Sequence, residues 1–279
     1  MLSKSNLLIV GILFCVNVSW SQQNGASITG NFETTVQYLN EDSLIGATQP
    51  PSQALMNSYI NVFYRQGNLK GGMRLESYLP RIQGYPANFS GTGLGMRYIG
   101  YENDLVDVTV GHIYEQFGSG MIFRAYEDRA LGYDNALDGL RVKLTPAKGL
   151  TFKGLVGKNR FQFVDGRVTN SEGTVRAVDG EFQLHKYIKL LDTNNINFSI
   201  GGSMVSKYQV DNNDALILPE NVAAYAGRFR LSYKSIFIDG EYVHKDNDPS
   251  ADNGMIYNTG HAALVNAGYS QKGFGAVVT

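Results

Sequence analysis

Residues 225–241 read YAGRFRLSYKSIFIDGE, two runs in which apolar and polar side chains alternate around Lys234-Ser235. A two-residue turn at that dipeptide makes the runs the two strands of a hairpin. Apolar side chains then meet on one face of the ladder, and opposite charges meet on the other. The predicted cross-strand pairs are Tyr233–Ile236, Leu231–Ile238, Phe229–Gly240, Arg230–Asp239 and Arg228–Glu241.

Two further hairpins follow the same rule. A turn at Gly67-Asn68 predicts the pairs Tyr64–Gly71, Val62–Met73, Ile60–Leu75, Arg65–Lys70, Asn61–Arg74 and Tyr59–Glu76. A turn within residues 145–149 predicts the pairs Leu140–Gly154, Val142–Phe152 and Leu144–Leu150. A one-residue slip would mix the faces in each case, so the pattern specifies the register. The apolar set predicted to face outward is Ile60, Val62, Met73, Leu75, Val142, Phe152, Phe198, Ile200, Phe229, Leu231 and Ile238.

The connections between the predicted strands alternate in length. The long ones are residues 39–56, 80–91, 117–137, 159–176, 206–222 and 246–259, and the short ones are 67–68, 102–104, 145–149, 188–194 and 234–235. Outer-membrane barrels have short periplasmic turns and longer extracellular loops. The sequence therefore predicts an all-β fold, a transmembrane antiparallel up-and-down β-barrel with about 12 strands in this chain.

The strand count bears on completeness. A thirteenth strand is predicted to begin at Phe274, five residues before Thr279. Because bacterial barrels have even strand numbers, we expect residues 22–279 to be a C-terminally truncated part of a larger barrel. The alternative is a closed 12-strand barrel with a short tail.

Composition excludes several other classes. The chain of 279 residues carries 24 basic and 25 acidic residues, a formal net charge of −1, which gives no support for nucleic-acid binding. Charged residues make up 18% of the chain, below the roughly 25% of ordinary soluble domains. The mean hydropathy of −0.19 is too polar for a bundle of membrane helices.

The N-terminus predicts an export signal. Lys4 precedes an apolar run from Leu7 to Val16, and the small residues Ser19 and Ser21 stand before Gln22. A positive segment, a short apolar segment and small residues at the cleavage site are typical of a signal peptide. We therefore expect residues 1–21 to be removed, which would leave no cysteine, since Cys15 is the only one.

The stretch Tyr114–Arg141, YEQFGSGMIFRAYEDRALGYDNALDGLR, resembles part of an uncharacterised outer-membrane β-barrel family of the Bacteroidota, a domain of unknown function. The resemblance implies the barrel, a location in the outer membrane of a Gram-negative bacterium and members longer than this chain. It implies no activity. The same stretch is loosely similar to alginate-export barrels, too weakly to imply a substrate.

This stretch also supplies the candidate constriction. A mixed-charge loop that folds into a barrel narrows the lumen and sets which solutes pass. The alternative is an ordinary solvated extracellular loop. The constriction candidates are Arg124, Tyr126, Glu127, Asp128, Arg129 and Asp134.

The predicted lumen wall carries nine positive and six negative side chains, a balance of +3. The positive ones are Arg65, Lys70, Arg74, Arg97, Arg141, Lys143, Lys153, Arg228 and Arg230, and the negative ones are Glu76, Asp107, Asp179, Glu181, Asp239 and Glu241. Fields inside a low-dielectric channel are focused, so this surplus predicts a weak anion preference. For Arg228, Arg230, Asp239 and Glu241 we favour the other interpretation, in which these residues are paired ladders that hydrate and rigidify the wall.

Enzymatic and cofactor functions have little support. The four histidines show no HExxH or His-x-x-x-His spacing, and no Ser–His motif is recognisable. We expect no enzyme, no cofactor and no metal. Asp246, Asp248 and Asp252 are weak calcium candidates, but Tyr257 stands where the bidentate Glu of a calcium loop would be.

Two functions remain at this point. One is a porin-like channel in contact with outer-membrane lipid that passes small hydrophilic solutes. The other is a non-conducting barrel that serves as an interaction or assembly partner in secretion or surface display.

Overall fold

A computed structural model of the chain describes residues 14–21, 25–41, 44, 46, 48, 51–211 and 217–279. These residues form an all-β fold dominated by one sheet of 14 strands. The sheet contains β1 (Phe14–Ser21), β2 (Ala26–Tyr38), β3 (Ala54–Gln66), β4 (Leu69–Tyr78), β5 (Gly91–Glu102), β6 (Val106–Ile113), β11 (Leu137–Ala147), β12 (Leu150–Val164), β13 (Arg167–Gln183), β14 (Ile196–Tyr208), β15 (Asn221–Tyr233), β16 (Ile236–Lys245), β17 (Gly260–Gln271) and β18 (Phe274–Val278). Strand order follows chain order, so the predicted all-β, up-and-down antiparallel arrangement is confirmed.

The remaining elements are short. Two small antiparallel ladders lie between β6 and β11: β7 (Glu115–Gln116) with β8 (Arg124–Ala125), and β9 (Glu127–Asp128) with β10 (Tyr133–Asp134). One short helix, α1, spans Lys189–Thr193, and 3₁₀ turns span Leu184–Lys186 and Ala251–Asn253.

The sheet is open across the part of the chain that the structure describes. Its end strands are β1 and β18, and the edge of β2 that faces away from β3 is paired with β1. Strand β1 falls within the predicted signal peptide, whose residues 1–13 lie outside the described residues, as do residues 22–24 after it.

Two of the three predicted hairpins have the predicted register. All the pairs named for the turns at Gly67-Asn68 and Lys234-Ser235 are confirmed. The third register is wrong by two residues, since Leu140 pairs with Val156, and Leu144 with Phe152. An irregularity between Leu144 and Ala147 absorbs the difference. The shift of two keeps each side chain on its predicted face.

The predicted alternation of long and short connections fails at two places. Residues 159–176, predicted to be a long loop, belong to β12 and β13, which are joined by a two-residue turn at Asp165-Gly166. Both turn residues have positive φ, 50° and 77°, as a type I′ hairpin requires. The connection predicted to be short, at residues 188–194, spans residues 184–195 and contains α1.

The chain divides into two compact units. The first comprises the described residues of Met1–Gly100, Glu127–Asn135 and Arg160–Asn170, and the second comprises Tyr101–Tyr126, Ala136–Asn159 and Ser171–Thr279. The first is centred on the aromatic residues Tyr59, Tyr78, Phe89 and Phe163. The second has an apolar cluster formed by Ile113, Phe117, Phe123, Ala125, Leu137, Leu155, Val175 and Ala177.

Within each unit the sheet exposes its apolar face and buries its charged face, which is the reverse of a water-soluble sheet. Nine of the eleven apolar residues predicted to face outward are exposed, at 37–51% of their surface, while Val142 and Phe198 are partly exposed. On the opposite face of β3 and β4, Tyr59, Asn61, Arg74 and Glu76 are at most 6% exposed. Charged residues are seldom buried in soluble proteins unless they are paired with opposite charges. Arg74 and Glu76 are paired in this way.

Candidate functional site

Four charged side chains of the first unit form a buried ion cluster: Arg74, Glu76, Asp134 and Arg160. Arg160 binds both carboxylate oxygens of Glu76, at 3.0 and 2.8 Å, and also reaches Asp134 at 2.7 Å. Arg74 donates to Glu76 at 2.7 Å and to Asp134 at 3.1 Å. The four side chains are 0–5% exposed. Each guanidinium therefore bridges two carboxylates out of contact with water.

Aromatic rings seal this cluster. The Tyr78 hydroxyl donates to Glu76 at 2.9 Å, and the Tyr78 ring lies 5.4 Å from Phe163 and 5.3 Å from Phe89. The Arg160 guanidinium lies 5.5 Å from the centre of the Phe163 ring. Low local polarity strengthens the ion pairs and makes the loss of either partner costly.

The cluster holds the loop segment 127–135 in place. Glu127 accepts a hydrogen bond from Arg74 at 2.8 Å, and Asp134 belongs to the same segment. Arg129 donates to Glu127 at 3.2 Å and pairs with Glu33 on β2. Burial by itself lowers the pKa of Arg129, but the Glu127 and Glu33 carboxylates together raise that pKa above its usual value. The segment is thus anchored at both ends and in the middle.

Tyr85 adds a neutral anchor from the loop between β4 and β5. Its hydroxyl donates to the backbone carbonyl of Arg129 at 2.7 Å and lies 3.0 Å from the Tyr59 hydroxyl. Burial raises the pKa of the Tyr85 phenol. The donated proton is therefore retained at neutral pH.

Glycine residues on neighbouring strands leave space for two of the charged side chains. A Cβ at Gly95 would lie 2.0 Å from Cδ of Glu76, so β5 must carry glycine where the Glu76 side chain crosses it. Gly201 on β14 has the same role, because its Cβ would lie 2.6 Å from Cζ of Arg228.

In the second unit, residues 114–126 are held by different partners. Glu115 accepts from Arg141 at 3.2 Å and from Lys153 at 2.9 Å, and Arg141 also pairs with Asp107. Phe117 is fully buried and packs against Phe123, with 5.2 Å between ring centres. This loop segment is therefore held by the ion pairs of Glu115 and by the buried packing of Phe117 against Phe123.

Glu241 anchors the same segment. Its Oε2 accepts the backbone N–H of Ser119 at 2.7 Å. Gly118 has φ of 53°, and a Cβ there would lie 2.5 Å from that oxygen. The predicted ladder pair of Glu241 with Arg228 is wrong as an ion pair, although the two residues are in register.

Arg228 instead crosses β14 at Gly201 and pairs with Asp179 on the next strand, β13. Its guanidinium reaches Asp179 on β13 at 2.8 Å and the Ser203 hydroxyl at 2.7 Å. It takes this direction because the residue opposite it on β14, Gly201, has no side chain.

Replacing Gly201 by Ala is expected to destabilise the fold by about 1–3 kcal/mol, because the new methyl group overlaps the Arg228 guanidinium. Gly227→Ala is the matched control, since a Cβ at Gly227 would meet nothing within 4 Å. Urea midpoints of the two variants in detergent micelles measure the difference. Equal midpoints would contradict the crossing of Arg228 over β14.

The other predicted site residues have different contacts and positions. Arg124 stacks on Tyr126 at 4.0 Å, and Asp128 accepts two backbone N–H groups in its own turn. Arg230 is 3.9 Å from Asp239 and is largely exposed. In the ladder, Arg65 lies opposite Lys70, and Lys143 lies opposite both Lys153 and Asp107. Arg97 is exposed on β5, as are Ile99 and Tyr101 further along the strand.

The weak calcium candidates have other side-chain partners or are exposed to solvent. Asp246 lies 3.4 Å from His244, and Asp248 pairs with Lys245. Asp252 lies in an exposed 3₁₀ turn. Across the described residues, no three His, Cys, Asp or Glu side chains are grouped as metal ligands. The described residues also contain no helix long and apolar enough to cross a bilayer.

A family model covers the chain from residue 2 to residue 279, and its description is a family of unknown function, DUF6029. This chain belongs to the DUF6029 family. The resemblance to an uncharacterised family is thereby confirmed. No curated protein matches the sequence.

In this DUF6029 chain, sequence reasoning missed several residues of the networks. Arg160, Glu33 and Glu115 are all paired in the structure, yet none was a candidate. The sequence pattern predicts that Arg160 lies in a loop at residues 159–176, which is wrong because Arg160 lies on β12. The sequence did carry a signal there, because Asp165-Gly166 between apolar-polar alternations is typical of a tight hairpin.

Proposed function

We propose that this chain forms the wall of an outer-membrane β-barrel of a Gram-negative bacterium of the Bacteroidota, acting as a porin-like channel for small hydrophilic solutes. The observation that carries the proposal is the inverted amphipathic sheet. Its apolar face is exposed and its charged face is buried in ion pairs. Lipid on the apolar side and a polar interior on the other satisfy both faces.

Aromatic residues at the two ends of the exposed apolar face support a membrane position. Tyr225 and Tyr242 lie at one end, Tyr233 and Tyr269 lie at the other, and all four are 36–55% exposed. Eight residues separate Tyr225 from Tyr233, which is about 27 Å along a strand and about 21 Å across a bilayer at a tilt of about 40°. That span is close to the roughly 25 Å apolar band of barrels, whose edges carry aromatic girdles.

The anchored loop supports selection by size and charge. Residues 127–135 are tied to the charged face of the first unit, and residues 115–119 are tied to that of the second. A loop held this way narrows a lumen. Most wall charges are neutralised by partners, so ion selectivity is weak. The sign of the selectivity is set by the long ion pair of Arg230 with Asp239. The Arg230 side chain is 62% exposed and the Asp239 side chain 26%, so the positive partner faces the solute more.

Single-channel recording in a planar bilayer tests the proposal. We expect discrete conductance steps and a reversal potential that indicates a weak anion preference, with Arg230→Glu shifting it toward cations. Clear cation selectivity that survives Glu127→Gln and Asp128→Asn would contradict the charge argument. Folded β-structure in the bilayer without any conductance would favour the alternative function, a non-conducting barrel for secretion or surface display. The anchored loop would then be a plug.

A further inference from the structure

A groove runs along the charged face of β13–β16 in the second unit. It consists of two adjoining cavities of about 460 and 320 Å³, and Glu181, Ser199 and Arg230 line both. We infer that this groove binds small zwitterionic solutes of dipeptide size, with Arg230 receiving the carboxylate and Glu181 the ammonium group. The inference rests on the proposed channel function and names the substrate class.

Arg230 presents hydrogen-bond donors to the groove. Its side chain is 62% exposed, and Asp239, its carboxylate partner, is 3.9 Å away. The other oxygen of Asp239 already accepts from Asn266 at 2.9 Å. The guanidinium lies over the Phe237 ring at 5.3 Å, which supports its plane. A planar guanidinium with five N–H donors is suited to bidentate binding of a carboxylate.

Acceptors line the same groove. Glu181 is 44% exposed and lies 3.7 Å from Arg228, which is held at shorter distances by Asp179 and Ser203. Glu241, 7% exposed, uses Oε2 for the Ser119 N–H, while its Oε1 has no hydrogen-bond partner among the described residues. An ammonium group in the groove would therefore find the exposed Glu181 carboxylate, which the protein's own cations do not saturate, with the buried Glu241 carboxylate adding negative charge nearby.

The register sets the size of the solute. Glu181 lies opposite Gly201, whereas Arg230 lies opposite Ser199, two strands away from Glu181 and one side-chain row along. Strand geometry places their Cα atoms about 12 Å apart. Arg230 leans toward Asp239 and Phe237 on β16, and Glu181 leans the same way, toward Arg228 on β15, so their charged groups stay about as far apart as their Cα atoms. An extended dipeptide of about 7 Å between its charged ends, with a hydrogen bond of about 3 Å at each end, spans about 13 Å and matches this separation.

Isothermal titration calorimetry of the chain in detergent micelles with glycylglycine tests the inference. We expect saturable binding that weakens about tenfold or more in Arg230→Gln and in Glu181→Gln, since each loses a hydrogen bond between charged groups. Arg230→Lys retains the charge and should bind more tightly than Arg230→Gln. Arg97→Gln and Glu102→Gln remove the same groups outside the groove and should leave binding unchanged.

Several results would overturn the inference. They are an absence of saturable binding, equal binding by the groove variants, and binding of acetate as tight as that of glycylglycine, which would indicate a simple anion site. Conductance measured on the same preparation separates the two proposals. Conductance without glycylglycine binding overturns the groove and leaves the channel, whereas binding without conductance overturns the channel and leaves the groove.

Discussion

Arg160→Met is expected to lower the free energy of unfolding by about 3–5 kcal/mol, the range for breaking a buried ion pair by removing one partner. The Arg160 and Glu76 side chains are 1% and 0% exposed. Loss of the guanidinium leaves the Glu76 carboxylate with Arg74 and Tyr78 as its remaining partners. Urea unfolding of the protein in detergent micelles measures the change.

Arg230→Met is the matched control for that variant. Its guanidinium is 62% exposed and its ion pair is 3.9 Å long, so we expect a change of about 0–1 kcal/mol. Arg160→Lys should fall between wild type and Arg160→Met, because it keeps the charge but loses the two-pronged contact with Glu76. Similar losses for Arg160→Met and Arg230→Met would show that the ion cluster does not stabilise the fold.

Phe229→Arg is expected to destabilise the protein in a bilayer by about 2–4 kcal/mol, because Phe229 lies at mid-depth of the proposed apolar band, and Leu231→Arg, two positions nearer the edge of the band, should cost less. Tyr233→Arg, at the edge of the band on the same strand and face, should change the stability by about 0–1 kcal/mol. Folding titrations in lipid vesicles measure the series.

The depth dependence is the decisive feature of this series. On a water-facing surface, substitutions at exposed positions usually change the stability by less than about 0.5 kcal/mol. Ser232→Arg places the same charge on the opposite face of β15, and we expect a small effect there. A flat profile across Phe229, Leu231 and Tyr233 would contradict a lipid-facing sheet.

The sequence predicted the sheet well because period-two alternation directly encodes which face a side chain lies on. The registers at Gly67-Asn68 and Lys234-Ser235 followed from it, since each has a two-residue turn that leaves one way to match the faces. The register at 145–149 was wrong by two residues because a local irregularity preserves the alternation. Pattern alone cannot detect such a shift.

The site was less predictable because its pairs are not ladder neighbours. Arg228 and Glu241 lie opposite each other, yet Arg228 binds Asp179 and Glu241 binds Ser119. These partners depend on the absence of a side chain at Gly201 and on the position of the loop residues Gly118 and Ser119 next to Glu241. Neither is visible in the local sequence. The loop charges Glu127, Arg129 and Asp134 were named as candidates, but their partners Arg160 and Glu33 were not.

The buried ion cluster also has a consequence for the order of folding. Its contacts join residues far apart in the chain, 84 positions for Arg160 with Glu76 and 60 for Arg74 with Asp134. Contacts between distant residues form slowly, because chain entropy must be lost before they form. The cluster is therefore complete only after residue 160 has reached Arg74 and Glu76. The rate-limiting step in assembly of the first unit should be the arrival of the β12–β13 hairpin, and Arg160→Met should slow that step while leaving the pairing of β3 with β4 unchanged.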